Sequence, residues 1–262
     1  MLRGRYAFLC RAGAVTAPRT TPPAPLDRLG GFRVQEPLGG GGMGVVYAAV
    51  DEASGAAAAV KLVRPEWLWF PGARERFARE IEAVQRLDHP GIVRILAHDL
   101  EGAVPWFAME RVAGRSLGAV LAAHRGADPS RLPAADLRQP AANWSGACVQ
   151  VAAQVAQALA HAHAHAIVHR DVKPSNVMLG DDGRVRLIDF GLASVAATER
   201  LTRTGVQPGS LAYMSPEQAR GEEVDARTDV WSLGVLLYEL LTLHQPFVRA
   251  STSSPRACSG DM

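Results

Sequence analysis

Residues 169 to 176 read His-Arg-Asp-Val-Lys-Pro-Ser-Asn, and the triplet Asp189-Phe190-Gly191 follows them. Between the two segments, short apolar stretches flank Asp181-Asp182-Gly183, a pattern that predicts a β-hairpin. The segments contain Asp171, which can accept a proton from a hydroxyl group, and an Asn and a second Asp whose oxygens suit a hard divalent cation. The alternative interpretation is a polar loop without a chemical role.

Lysine is scarce in this chain. Of the 28 Lys and Arg residues, only Lys61 and Lys173 are lysine. A lysine ammonium is a compact point charge on a flexible stem, whereas the guanidinium of arginine is a broad planar fork. Each lysine therefore marks a position where arginine does not serve, and both lie in stretches that suit contact with nucleotide phosphates.

A glycine-rich run, Leu-Gly-Gly-Gly-Gly-Met-Gly-Val-Val-Tyr, occupies residues 38 to 47. Gly39, Gly41 and Gly44 lie between two strand-like segments, so the run predicts the turn of a hairpin. Glycine there allows backbone N–H groups to approach phosphate oxygens without a Cβ in the way. An ordinary glycine loop remains the alternative, and a dinucleotide-binding fingerprint is disfavoured because a strand, not a helix, follows.

Composition excludes several classes of protein. The chain has 262 residues, 48% hydrophobic and 21% charged, as in ordinary globular proteins, and its net charge of +2 argues against nucleic acid as a partner. Three cysteines, Cys10, Cys148 and Cys258, lie far apart and without a CxxC motif. They fit a reducing compartment, so we expect a cytoplasmic location. The chain as given has no apolar run long enough to cross a membrane.

The first half of the chain is predicted to be β-rich. Residues 1 to about 30 are rich in Ala, Pro, Arg and Thr and predict a disordered leader. Apolar runs then predict five strands, at residues 32–38, 45–50, 56–63, 92–99 and 104–110. A helix is predicted over residues 73–87 from helical spacing of Phe77, Ile81 and Val84.

The second half is predicted to be helical. Helices are expected at residues 116–124, 149–166 and 225–243, and the Pro/Ala/Arg-rich residues 125–145 predict an inserted surface loop. The predicted class is α+β with two lobes. A β-rich lobe spans residues 31–111, an α-helical lobe spans 112–247, and an irregular tail covers 248–262.

From about Phe32 to Phe247, the chain closely resembles the eukaryotic-type, bacterial-like Ser/Thr protein kinase family. Together the markers, in order and spacing, are highly specific. They are the glycine-rich loop, Ala59-Val60-Lys61, Glu80, Met109-Glu110, the run at 169–176, Asp189-Phe190-Gly191, Ser215-Pro216-Glu217 and Asp229-Val230-Trp231-Ser232. The resemblance implies the two-lobed protein-kinase fold, ATP and Mg²⁺ as cofactors and a protein substrate.

The resemblance also implies roles for the polar residues. Lys61 would hold the α- and β-phosphates and pair with Glu80 on the first helix. Glu80 is preferred to Glu82 because it precedes Pro90 by the family's spacing.

The loop residues would carry the chemistry. Asp171 would be the catalytic base, and Lys173 would steady the γ-phosphate. Asn176 and Asp189 would bind magnesium.

An adenine pocket follows from the same resemblance. Its apolar residues would be Leu38, Val46, Ala59, Met109 as gatekeeper, and Met178, and the backbone of Glu110 and Val112 would bind the edge of the base. The glycine-rich residues Gly39, Gly40, Gly41, Gly42, Met43 and Gly44 would cover the phosphates. Core packing is the alternative for the apolar residues.

Ser/Thr specificity is implied by Lys173 and by Gly209-Ser210 before residues 213–217. Residues 191–210 would be the activation segment, with Thr202 and Thr204 as phosphosites that Arg170 could bind. The alternative is that these threonines only decorate a polar loop.

Three features depart from the pattern or invite other interpretations. His161, His163, His165 and His169 suggest a zinc site, but residues at i, i+2 and i+4 scatter around a helix, so at most His161 and His165 share a face, and no third ligand is evident. His169 is interpreted instead as a packing histidine of its loop. Ala166 stands at a helix end where such kinases often carry Gly. Arg111 in the hinge and Ser116 at the ribose-facing position are variations that could weaken nucleotide contacts.

The C-terminal stretch is the largest departure. Residues 248–262 lack apolar periodicity, whereas a full domain of this family continues for several helices and includes an Arg that pairs with the position of Glu217. We expect a truncated domain, with Glu217 left unpaired and residues 235–243 uncovered.

Two hypotheses follow. The first is an ATP- and Mg²⁺-dependent protein Ser/Thr kinase, and the alternative is a non-catalytic fragment that at most binds nucleotide or a protein partner. A small-molecule phosphotransferase fits poorly, because Lys173 and residues 209–217 are those of protein kinases.

Overall fold

A computed structural model describes residues 27–41, 44–69, 71–102, 104–190 and 210–247 of the chain. Gly42, Met43, the proposed phosphosites Thr202 and Thr204, most of the predicted leader and the predicted tail lie outside these residues. No helix in the described ranges is long and apolar enough to cross a membrane.

The N-terminal lobe is a six-stranded antiparallel sheet with one helix. Its strands run in the order β1-β2-β3-β4-β6-β5. Their bounds are β1 Arg28–Leu29, β2 Phe32–Gly41, β3 Gly44–Asp51, β4 Ala57–Val63, β5 Ile95–Asp99 and β6 Trp106–Glu110. The five strands expected from the apolar runs are confirmed.

The prediction of a disordered leader is wrong at its C-terminal end. Arg28 and Leu29 form β1, which pairs with Arg33 and Phe32 of β2. Leu29 is buried. The pairing explains why this short segment is ordered, because a buried leucine and a strand partner compensate for its conformational entropy.

Helix α1, Ala73–Gln85, packs against this sheet. Phe77 and Ile81, one turn apart, are buried in the same cluster as Phe107 and Met109 of β6. The predicted helical face is therefore confirmed.

The C-terminal lobe is built around a long buried helix. Its elements are β7 Gly114–Ser116, α2 Leu117–Ala123, α3 Trp144–Ala164, β8 Val177–Gly180, β9 Val185–Leu187, α4 Pro216–Arg220 and α5 Ala226–Thr242. The predicted hairpin around residues 181–183 is β8 and β9. Together, the sheet lobe and this helical lobe give the α+β two-lobed fold that the sequence predicts.

Residues 125–145 are more than the expected surface loop. They contain two 3₁₀ helices, Pro129–Arg131 and Ala134–Leu137. Leu137 is fully buried, and Gln139 donates hydrogen bonds to the carbonyls of Leu137 and Gly183. The Pro/Ala/Arg-rich composition concealed these anchors, because a single buried leucine produces no periodic signal.

Backbone hydrogen bonds of Leu187 join the two lobes close to Asp189. The N–H of Leu187 donates to the carbonyl of Gly91 at 2.8 Å, and its carbonyl accepts from the N–H of Val93 at 3.0 Å. These bonds attach the segment after α1 to β9, which leads directly to Asp189.

Helix α5 is buried along one side. Val235, Leu236 and Leu240 are buried, so the expectation that residues 235–243 are uncovered is wrong for them. The exposed apolar residues lie on another face of the helix and include Val230 and Trp231. Tyr238 and Leu241 on that face are exposed as expected.

Helix α3 ends in a left-handed turn at Ala166, whose φ is 58°. The N–H of Ile167 donates to the carbonyl of Ala162, and that of Ala166 to the carbonyl of His163. This is the Schellman arrangement, in which glycine is the usual residue because a Cβ is unfavourable at positive φ.

We predict that Ala166→Gly stabilises the protein by about 1 kcal/mol, because it removes the Cβ from a left-handed residue. The exposed Ala153 near the middle of α3 is the control, and Ala153→Gly is expected to cost about 0.5–1 kcal/mol. Urea denaturation measures both. A loss of stability with Ala166→Gly would contradict the prediction.

Candidate active site

A cleft of about 1090 Å³ collects most of the residues singled out in the sequence. The proposed adenine-pocket residues all line it: Leu38, Val46, Ala59, Met109, Glu110, Val112 and Met178. Lys61, Asp171, Lys173, Asn176 and Asp189 line the same cleft. Residues separated by more than a hundred positions are thus brought to one cavity. Glu80 is absent from its lining.

The glycines of the β2–β3 hairpin differ in how much space their surroundings leave for a side chain. Gly39, Gly40 and Gly44 line the cleft, and Gly41 pairs with Gly44 at the end of the hairpin. A Cβ on Gly39 would meet no atom within 4 Å, so its backbone is open to a ligand. A Cβ on Gly44 would lie 1.8 Å from the carbonyl oxygen of Leu62. Gly44 is therefore required by the close approach of β4.

Lys61 is buried on β4, with its ammonium 2.6 Å from Oδ2 of Asp189. Glu80 on α1 lies 3.9 Å from a guanidinium nitrogen of Arg170. The expected Lys61–Glu80 pair is therefore wrong for this conformation, and the lysine contacts Asp189 instead. The single ammonium of Lys61 therefore pairs with the carboxylate of Asp189, which follows β9.

Asp171 is held by its neighbours in the loop. Oδ2 of Asp171 accepts hydrogen bonds from Lys173 Nζ at 2.7 Å and from Asn176 Nδ2 at 3.0 Å. Asn176 Nδ2 also donates to the backbone carbonyl of Asp171 at 2.9 Å. The carboxylate orientation is thus fixed by two side chains from its own loop, which suits a general base that must point at one hydroxyl group.

The residues present fit a divalent cation. Asp189 has a φ of 58°, a conformation that is strained for a residue with a Cβ. Its Oδ1 is buried without a hydrogen-bond partner. Such an oxygen suits a hard cation, and Mg²⁺ takes few protein ligands because it keeps waters and binds substrate phosphates. Accordingly, no group of three or more His, Cys, Asp or Glu side chains suited to a metal occurs in the described part of the chain.

The buried carboxylate of Asp229, on α5, fixes the backbone of the loop at residues 169–176. Its Oδ2 accepts from the backbone N–H of His169 and its Oδ1 from that of Arg170, both at 2.8 Å. Gln218 Nε2 donates to the carbonyl of Arg170. The sequence placed Asp229 in a family motif without assigning it a role. The available signal was an acidic residue in the first turn of this helix, followed by a largely apolar run from Val230.

The histidines of α3 divide into two sets of contacts, because the rings of His161 and His165 pack on each other with centroids 4.6 Å apart, whereas His163 reaches Asp229. His163 Nε2 lies 2.7 Å from Oδ2 of Asp229, whereas His165 Nδ1 bonds to the carbonyl of His161. The ring of His161 packs on that of His89, with ring centroids 5.1 Å apart. His169 is fully buried, and its ring packs on Phe190, as expected of a packing histidine.

Glu217 is not left unsatisfied. Thr228 Oγ1 donates to its Oε1 at 2.6 Å, and this hydrogen bond lowers the pKa of the Glu217 carboxyl. Glu217 is half-buried rather than buried, and the hydrogen bond from Thr228 favours its charged form.

The variant positions at the cleft mouth also have structural partners. Ser116 accepts a hydrogen bond from the N–H of Ala119 and caps α2. Arg111 lies 3.7 Å from Glu36.

The structure has the parts of a protein kinase catalytic domain. They are a nucleotide-sized cleft between a β-sheet lobe and a helical lobe, a glycine hairpin, a buried lysine and a loop that carries Asp, Lys and Asn. The family described as "Protein kinase domain" matches residues 32–259, so the chain belongs to the protein kinase family.

Its relatives are bacterial Ser/Thr protein kinases. A probable serine/threonine-protein kinase of Streptomyces coelicolor is 38% identical over 228 residues, covering 84% of this chain and 32% of the relative. PknL of Mycobacterium tuberculosis is 37% identical over 223 residues, covering 85% of this chain and 52% of the relative. The chain therefore spans about a third to a half of the length of these relatives.

A solved structure supports the same fold. The crystal structure of the Mycobacterium tuberculosis PknI kinase domain aligns with a TM-score of 0.64 at 30% identity. The alignment covers 85% of this chain and 76% of that one.

We predict that His163→Ala destabilises the protein by about 1–3 kcal/mol, because it removes a partner of the buried Asp229 carboxylate. It should also speed hydrogen exchange at the amides of His169 and Arg170, because these N–H groups donate hydrogen bonds to Asp229. Urea denaturation and amide exchange measure these effects. The control is His165→Ala, whose ring contacts an exposed carbonyl. Equal effects of the two substitutions would contradict the prediction.

Proposed function

We propose that the chain transfers the γ-phosphoryl group of ATP to Ser or Thr hydroxyls of protein substrates, with Mg²⁺ as cofactor. The observation that carries the proposal is the shared cleft of Lys61, Asp171, Lys173, Asn176 and Asp189. Membership of the protein kinase family supports the same reaction.

Nucleotide binding would use both lobes. The adenine ring would lie among Val46, Ala59, Met109 and Met178, with backbone groups of Glu110 and Val112 at its edge, and Leu38 at the entrance. Gly39, Gly40, Gly41 and Gly44, with Gly42 and Met43 in the same run, would cover the phosphates through backbone N–H groups.

The phosphoryl transfer would use Asp171 as base. The acceptor hydroxyl oxygen bonds to the γ-phosphorus, its proton moves to the Asp171 carboxylate, and the bond from the γ-phosphorus to the bridging oxygen of ADP breaks. Lys173, already 2.7 Å from Asp171, would balance charge on the γ-phosphate.

Asn176 and Asp189 would hold the magnesium ion, which when bound neutralises charge on the phosphates. Lys61 now pairs with Asp189. Binding of nucleotide would move the Lys61 ammonium to the α- and β-phosphates, free the Asp189 carboxylate for the cation and allow Glu80 to pair with Lys61.

Phosphorylation at Thr202 or Thr204, which lie outside the described residues, would supply an anion for Arg170. We also propose a cytoplasmic location, since ATP and reduced cysteines are found there. We propose no role for the chain in nucleic-acid binding.

The observed pairs favour one alternative. Because Lys61 contacts Asp189 and Glu80 contacts Arg170, the chain could bind nucleotide, or a protein partner, without transferring phosphate.

We predict that Asp171→Ala lowers transfer of labelled phosphate from ATP, to the chain itself and to a generic basic protein, by about 10²–10⁴-fold, because the general base is lost. The control is Asp88→Ala, an exposed carboxylate before β5. Both variants should melt as cooperatively as the wild type, and transfer should require added Mg²⁺.

The alternative would hold if the wild type and Asp171→Ala are equally silent while both bind nucleotide. Equal activity of the wild type and Asp171→Ala would exclude Asp171 as the base.

A further inference from the structure

Three arginines line the mouth of the cleft beside α2. Arg111 follows β6, Arg115 lies in β7, and Arg125 follows the end of α2. We call these three residues the arginine rim. They flank a part of the cleft wall that Gly118 and Leu121 of α2 also form.

The positive charge of the rim is only weakly neutralised. Arg111 is 3.7 Å from Glu36, and Arg115 is 3.8 Å from an oxygen of Asp136. His124 lies closer to Asp136, at 2.9 Å from its other carboxylate oxygen. Such exposed ion pairs contribute little. Arg115 is also oriented by a hydrogen bond from its Nη2 to the backbone carbonyl of Asp136 at 2.9 Å, which leaves its charge unneutralised.

Arg125 has no such partner. It is exposed, and no ion pair joins it to any residue within the described ranges. Its guanidinium is therefore available to an incoming anion.

Four acids line the cleft, and each has a partner outside the rim. The charge of Glu110 interacts with that of Arg186. Asp189 pairs with Lys61, and Asp171 with Lys173. Glu239, at the α5 end of the cleft, accepts a hydrogen bond from Tyr213.

We propose that the arginine rim binds acidic side chains of the protein substrate, so that the chain prefers acceptor hydroxyls flanked by Asp or Glu. This inference rests on the proposed function and specifies its substrate class. The guanidinium fork matches a carboxylate in a bidentate manner. Both lysines of the chain lie with Asp171 and Asp189, so the phosphates of ATP have other cations to contact.

The test uses two labelled peptides with one Thr acceptor, flanked by three Glu in one and by three Lys in the other. The wild type should have a higher kcat/KM for the acidic peptide. Arg125→Glu should lower that value by about tenfold and raise the value for the basic peptide, because the charge is reversed. The preference should weaken as salt concentration rises.

The matched control is Arg131→Glu, which makes the same charge change in the same segment but outside the cleft lining. It should leave the preference unchanged. Equal shifts with the two variants would reduce the effect to net charge and overturn the inference. So would a wild type that prefers the basic peptide, or an Arg125→Glu variant that loses affinity for ATP rather than for peptide.

Failure of the proposed function can be separated from failure of this inference. If neither the peptides, the generic basic protein nor the chain itself is phosphorylated, the kinase proposal fails, and fluorescence anisotropy of the same two peptides still decides the inference. Tighter binding of the acidic peptide that is lost in Arg125→Glu supports it, and equal binding of both peptides overturns it.

Discussion

The conformation of the loop at residues 169–176 depends on one buried carboxylate, that of Asp229. Asp229 is fully buried on α5 and accepts the backbone N–H groups of His169 and Arg170, while His163 contacts the same carboxylate from α3. A buried charge is costly unless it is fully hydrogen-bonded, so these three contacts are needed together. They connect the two long helices of the lobe to the loop that carries Asp171.

The second constraint is the competition for a few charges in the cleft. Lys61 contacts Asp189, and Arg170 contacts Glu80. Each cation therefore neutralises one of the carboxylates that the proposed reaction requires in another role. In the proposed reaction, the nucleotide phosphates would compete with these carboxylates for the two cations, so ligand binding would be coupled electrostatically to the position of Glu80 on α1.

Much of this fold could be predicted from periodicity and motifs. Five of the six strands of the sheet, helices α1, α2, α3 and α5 and the hairpin before Asp189 follow from apolar spacing and turn residues. Helix α4 was not predicted, and α3 begins at Trp144 rather than at residue 149. The errors have identifiable causes. Arg28 and Leu29 form a strand only because β2 is beside them, and residues 134–137 are anchored by one buried leucine, Leu137. Neither position carries a periodic signal of its own.

The sequence by itself determined which groups are available: two lysines, the loop carboxylate Asp171 with Asn176, and a glycine hairpin ahead of them. Motif order was sufficient for this, because each motif fixes a local backbone conformation. Only the tertiary structure decided which charges meet, that Gly44 is glycine because of Leu62, and that Asp229 supports the loop. These contacts join residues far apart in the chain, so they depend on how the lobes pack rather than on any local pattern.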